Sequence, residues 1–368
     1  MRVLLAAAVS LAAAAVSSAS ATTPRTDTLY SRASGTISAF AQDDKLIAWF
    51  TPDAKGCNAV HVHSVFNGLK VDLPKQRDSH NVTCRWNVGD SPVELAIAGK
   101  TSNVLWTLHE SSPLEFDYLV GAGAGDRRER RLQELAHTNR GNGLWFGGVA
   151  GDGTTLAYAV TSVDYEDEAG CLAGTGSCLM KRAGGGVYRV IGRQQRPKLV
   201  PGTNHGAVAI AAGGGRIAYV TTGSVTKRGK PVAGADLPIQ IVDAANGEVV
   251  SSISPQGTPL AIALSAHVLA ALERTPLGLR LATYSASGGQ PIGSAPVALS
   301  TSPVLTVSDR FVVFHVGRSI RAVQIATGRV RTLITAAAPP IGLSLEGTRL
   351  AWAENLKHGW RIRALHIS

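Results

Sequence analysis

Chemistry needs titratable, nucleophilic or metal-ligating side chains at workable spacings, and a few segments offer them. The run Asp164-Tyr165-Glu166-Asp167-Glu168 clusters carboxylates that suit a hard cation or a cationic ligand, although it lacks the spaced Asp and Gly pattern of a dedicated calcium loop. His61 and His63 stand two apart on a strand-like segment and so share a face, where both could reach one ion; no third ligand is identifiable nearby. His80, His137 and His205 fall in or beside connecting segments, and Trp86 and Trp145 offer flat surfaces to a sugar or peptide. Arg127, Arg128, Arg130, Arg131 and Arg140 make a basic stretch that fits an anionic polymer or a charged outer strand kept free of sheet-to-sheet association.

The motifs of common catalysts are missing. The chain contains no G-x-S-x-G nucleophile elbow, no H-E-x-x-H and no Walker-type phosphate loop. The expectation is therefore a non-catalytic protein with no cofactor, no metal and no catalytic residue to name.

The elements that would position such residues come from an internal repeat. A turn of Asp, Gly or small residues precedes a Leu-Ala-Trp type strand at Asp43-Asp44-Lys45-Leu46-Ile47-Ala48-Trp49, at Gly151-Asp152-Gly153-Thr154-Thr155-Leu156-Ala157-Tyr158, at Gly213-Gly214-Gly215-Arg216-Ile217-Ala218-Tyr219 and at Glu346-Gly347-Thr348-Arg349-Leu350-Ala351-Trp352. Weaker copies lie at Asn103-Val104-Leu105-Trp106, His267-Val268-Leu269-Ala270 and Asp309-Arg310-Phe311-Val312-Val313-Phe314. Gly and Asp tolerate the positive φ of tight hairpins, and the flanking β-branched and aromatic residues suit a pleated sheet. A second hairpin follows in most units, as in Ile239-Gln240-Ile241-Val242-Asp243 turning back into Val249-Val250. Two hairpins per unit predict four-stranded antiparallel blades, and the repeat length matches that of propellers.

The fold expected is all-β: a single β-propeller of seven blades, with six and eight as alternatives. The last unit supplies three strands, and Thr28-Leu29-Tyr30-Ser31 is available as its fourth, closing the ring. On these motifs the sequence resembles the WD40-like and TolB-like propellers of exported bacterial proteins, whose blades carry an Asp-Gly-x-x-Leu-Ala-Trp type motif. That resemblance implies a fold and leaves the ligand open.

Residues 1–21 read as a signal peptide, with Arg2, an apolar Ala-rich stretch and an Ala19-x-Ala21 cleavage site; residues 22–368 are the propeller domain. No later stretch is long and apolar enough for a membrane span, so a soluble periplasmic, cell-envelope or secreted protein is expected. The net charge of +10 suits anionic envelope polymers better than nucleic acid in that compartment. Four cysteines in an exported chain predict two disulfides, Cys57 with Cys84 and Cys171 with Cys178.

The long connections, residues 51–58, 74–92, 137–143, 161–186 and 221–237, all fall at one end of the predicted strands. Loops on a rigid scaffold are where binding residues concentrate. The expected function is binding of a protein, peptide or glycan by a monomer through this face of blades one to four, with Trp86, Trp145, His80, Asp164, Tyr165 and Glu166 as contact residues. The alternative is a propeller hydrolase or lyase with its site at the channel mouth.

Overall fold

The computed structural model describes residues 25–53, 56–85, 93–110, 115–137, 143–163, 185–191, 196–203, 206–221 and 238–368. These form strands and one 3-10 turn, Val82–Cys84, and no helix among them is long and apolar enough to cross a membrane.

The chain opens with β1 (Thr26–Arg32) and a first sheet of β2 (Ala39–Asp43), β3 (Leu46–Thr51), β4 (Ala59–Ser64) and β5 (Lys70–Leu73). Then come β6 (Leu95–Ala98), β7 (Asn103–Glu110), β8 (Glu115–Gly123) and β9 (Arg130–His137), followed by β10 (Gly143–Asp152), β11 (Thr155–Val163), β12 (Gly185–Ile191) and β13 (Arg196–Leu199). The fourth group is β14 (Ala207–Gly213), β15 (Arg216–Thr221), β16 (Ile239–Asp243) and β17 (Val249–Ile253), and the fifth is β18 (Thr258–Leu264), β19 (Val268–Thr275), β20 (Gly278–Ser285) and β21 (Pro291–Pro296). The sixth is β22 (Thr301–Val307), β23 (Phe311–Val316), β24 (Ser319–Gln324) and β25 (Val330–Thr335); β26 (Pro340–Glu346), β27 (Arg349–Asn355) and β28 (Trp360–His366) complete the chain.

The architecture is an all-β single propeller of antiparallel four-stranded blades. Where seven separate blades are expected, strand pairing among the described residues gives five four-stranded sheets and one eight-stranded sheet running from β6 to β13. The cause is local. His137 at the end of β9 pairs with Gly143 at the start of β10, and this single contact makes the two neighbouring groups continuous. The ring closes as the sequence suggests, with β1 pairing antiparallel to β28 from Thr26↔Leu365 to Arg32↔Trp360.

Strand two of each unit is sandwiched between neighbouring sheets, which explains why the motif reads as a continuous apolar run. Leu46, Ile47, Ala48, Trp49 and Phe50 are all buried, as are Leu350, Ala351, Trp352 and Ala353. A strand covered on one face only would alternate polar and apolar side chains. Trp106 is fully buried, its indole N–H donating to Thr83 Oγ1 at 3.1 Å, so the motif tryptophans serve packing.

Antiparallel order fixes two ends. Connections from strand two to strand three, and from strand four into the next unit, share one end; the hairpins within each pair share the other. In the first four units the first end holds the widely separated strand ends Val163 of β11 and Gly185 of β12, and Thr221 of β15 and Ile239 of β16. At the other end, Asp43 is separated from Leu46, and Asp152 from Thr155, by a tight turn. The two are called the long-connection end and the short-turn end below.

Candidate functional site

Seven strand-one segments, from Ser38–Gln42 round to Ile341–Ser344, line a central channel of about 520 Å³. Its wall is mostly Ala, Val, Ile, Leu and Gly, and among the described residues that line it Glu94 is the one ionisable side chain. Glu94 sits just before β6, at the long-connection end, where Oε2 accepts the Val149 N–H of β10 at 3.0 Å. The acceptance coincides with a register shift between Phe146 and Gly148, and Gly148 holds φ +130°, which only glycine adopts readily. Glu94 opens on the lumen yet is ringed by protein, and this loss of solvation, with a smaller contribution from the charge of Asp117, pushes its carboxyl up to about 6.

Beside Glu94 a second group follows from strand register. His109 on β7 lies opposite Asp117 on β8, Glu115 on β8 lies opposite His137 on β9, and Glu115 and Asp117 are two apart. All four side chains therefore share one face of the sheet. His109 Nδ1 is 2.8 Å from Asp117 Oδ1, His137 Nε2 is 3.3 Å from Asp117 Oδ2, and His137 Nδ1 is 3.2 Å from Glu115 Oε2. The His137 side chain is 0% exposed. Trp145 of β10 stacks on its ring with centroids 3.6 Å apart.

A third group involves His61, buried on β4 between Trp49 and Asp72 in the adjacent strands. Asp72 Oδ1 lies 2.6 Å from His61 Nδ1, and Thr51 Oγ1 lies 2.8 Å from Nε2. With Asp72 accepting from Nδ1–H, a neutral ring accepts the Thr51 hydroxyl at Nε2, and burial lowers the imidazole pKa in keeping with that neutral form. His63 packs edge-on against Trp49 and Tyr30, and burial drives it down to about 4. Asp72 is the third potential ligand that the sequence did not reveal. Both ring nitrogens of His61 are already engaged, and the cluster fastens β1 onto the first sheet.

At the short-turn end, Asp43, Asp152, Asp309 and Glu346 border a cavity of about 510 Å³. Three of these carboxylates accept structural hydrogen bonds: Asp43 Oδ2 from the Gly99 and Gly153 N–H groups, Asp152 from Gly214 N–H, and Asp309 from the Ser265 hydroxyl. The Glu346 carboxyl rises to about 7, through burial first and the charge of Asp43 second.

Of the residues expected to bind, Trp145 and His80 fall among the described residues. Trp145 is half-buried and joins the His137 group. His80 is exposed, its backbone N–H bound to Asp78 Oδ1, in a segment whose Gln76 and Asp78 bond to Arg127 and Arg128 of the β8–β9 turn at the short-turn end. The same segment is joined by the Cys84–Cys57 disulfide to the β3–β4 connection. Arg130 and Arg131 are engaged with Asp126 and Glu134. Cys57 and Cys84 form a disulfide. Trp86, Arg140, Asp164, Tyr165, Glu166, Cys171, Cys178 and His205 lie outside the described residues.

The sequence singles out His137 but not Glu94, His109, Glu115 or Asp117. The available signal was the x-His-Glu end of one strand facing the Glu-x-Asp start of the next.

No protein-family model and no curated protein matches the chain. Among solved structures, it is similar to the β-propeller domain of the Trilobed protease from Pyrococcus furiosus, with a TM-score of 0.54 and 8% identity over 92% of this chain and 94% of that one. It is also similar to the β-propeller domain of Cps50 (Swd1) from Myceliophteria thermophila, with a TM-score of 0.53 and 11% identity over 94% of this chain and 100% of that one. TolB from Acinetobacter baumannii overlays at a TM-score of 0.37 and 14% identity, over 70% of this chain and 53% of TolB. At such identities the first two likenesses speak for the propeller fold alone.

Proposed function

We propose that this protein is an exported, non-catalytic propeller that binds a protein, peptide or glycan at its long-connection end. The observation that carries the reading is where the widely separated strand ends fall: Val163 and Gly185, and Thr221 and Ile239, stand at the end that holds Glu94 and Trp145, while at the opposite end Asp43 and Leu46, and Asp152 and Thr155, are joined by tight turns. A rigid ring with elaboration on one face is a binding scaffold by construction. Trp145 supplies an aromatic surface, and Trp86, Asp164, Tyr165 and Glu166 complete the proposed contact residues on the strength of their places in the sequence alone.

In this reading residues 1–21 are removed on export and residues 22–368 act as a monomer. The eight-stranded sheet works as two blades joined at His137 and Gly143, making seven in all, a reading supported by the seven strand-one segments that line the channel.

The test is a glycan and peptide array probed with the oxidised protein and with a variant in which a short Gly-Ser turn replaces residues 164–184. Specific binding by the intact protein that the variant loses is the expected result. Equal binding by both would remove the long-connection end from consideration.

One observation favours a second reading, a hydrolase or lyase at the channel mouth. Glu94, with its carboxyl raised to about 6, stands beside the His109, Asp117 and His137 group, and such a carboxyl can exchange protons near neutral pH. Turnover of a substrate abolished by Glu94→Gln would establish it.

A further inference from the structure

We propose that His109, Asp117 and His137 form a binding site for a divalent transition-metal ion, with zinc the best match to the donors. This goes beyond the binding reading, does not depend on it, and departs from the sequence expectation of no metal.

Geometry is the first support. One ligand atom from each of the three residues falls within 4.8 Å of the other two. Donors about 2.0–2.1 Å from a tetrahedral ion stand about 3.3 Å from each other. The His137 Nε2 to Asp117 Oδ2 separation is 3.3 Å.

The second support is independent of proximity. His137 is wholly enclosed, and neither of its ring nitrogens makes a hydrogen bond, although carboxylate oxygens lie near both. Buried polar atoms in folded proteins nearly always find a partner. An ion bound at Nε2 supplies one and leaves Nδ1–H directed at Glu115, the carboxylate-to-histidine arrangement that orients metal-ligating imidazoles.

Donor chemistry and rigidity narrow the choice of ion. Two imidazoles and a carboxylate suit zinc and its first-row neighbours, whereas calcium and magnesium prefer all-oxygen sets. The ligands stand on three consecutive hydrogen-bonded strands, and Trp145 packs over the His137 ring, so little ordering is required on binding. Asp117 and Glu115 together balance the charge of a divalent ion. Three protein ligands leave a fourth position for water or for an oxygen of a bound ligand.

The test uses the tag-free, full-length protein, stripped with a chelator and titrated with zinc chloride by calorimetry, with metal content measured after dialysis. One equivalent of zinc is expected. Binding should weaken at least about 100-fold in His109→Gln and His137→Gln and about tenfold in Glu115→Gln, and should be unchanged in His63→Gln. If the buried His137 variant does not fold, His109→Gln and X-ray absorption of the zinc-loaded wild type decide, with two imidazoles expected around the ion. Failure of the folded wild type to bind zinc, unchanged binding in His109→Gln, or a zinc environment without imidazole would each overturn the assignment.

Discussion

Asp43 in the first hairpin of the ring accepts, at 2.6 Å, a hydrogen bond from the backbone N–H of Gly153, two units further along the chain. The same oxygen accepts the Gly99 N–H of the intervening unit at 2.5 Å. One carboxylate thus ties three successive turns together at the short-turn end. Gly99 is needed there because a Cβ would meet the Asp43 carbonyl oxygen at 2.3 Å.

Asp43→Ala leaves two N–H groups without this acceptor. Hydrogen bonds to a charged group contribute about 1.5–3 kcal/mol each, and water reaching the Gly153 side recovers part, so a loss of about 2–3 kcal/mol is expected. Urea denaturation reads it directly. Asp43→Asn, which keeps an acceptor oxygen, should fall between the two.

Glu346 makes stability at this end depend on pH. Its carboxyl is raised from the ordinary 4.5 to about 7, so the folded protein holds this proton more tightly than the unfolded chain. The contribution is fully present below about pH 4.5 and is lost as pH rises through about 7. Glu346→Gln should therefore match the wild type near pH 4 and exceed it at pH 8 by on the order of 1 kcal/mol, after allowance for solvent screening at a half-exposed site. Thermal melts of both proteins across that range provide the comparison.

The Cys57–Cys84 disulfide closes a loop over a sequence separation of 27. The loop-entropy argument gives about 3–4 kcal/mol for a closure of this size. A Cys57→Ser, Cys84→Ser double variant should lose that much in denaturant titrations under oxidising conditions.

Glu94 gives ligand binding its own pH profile. With its carboxyl at about 6, the channel mouth gains negative charge between about pH 5 and 7. A cationic ligand seated there should bind more tightly as pH rises through that window. In Glu94→Gln the same titration should be flat.

The fold was legible because its signals are local and repeated. A turn followed by Leu-Ala-Trp marks a strand buried on both faces, and the residues around Tyr30 were left over as the strand that β28 lacked. The blade count was not legible in full, since the contact joining His137 to Gly143 depends on a backbone approach that no residue pattern announces. The candidate site was less readable still. Pairing His109 with Asp117 and His137 with Glu115 requires the register of three strands, and a one-residue slip would send those side chains to the opposite face. The connection that carries His80 bonds through Gln76 and Asp78 to the β8–β9 turn and through Cys84 to Cys57, a pair of anchors that no residue spacing announces.

The most direct test of a binding face at the long-connection end compares variants at the two ends of the ring on the same glycan and peptide array. Trp145→Ala and Glu94→Gln alter one end; Asp309→Asn and Arg310→Ala alter the other. Specific binding that is weakened at least about tenfold by the first pair and unchanged by the second is the expected result, tenfold corresponding to about 1.4 kcal/mol. Binding lost only in the Asp309 and Arg310 variants, or no binding by the intact protein, would contradict it.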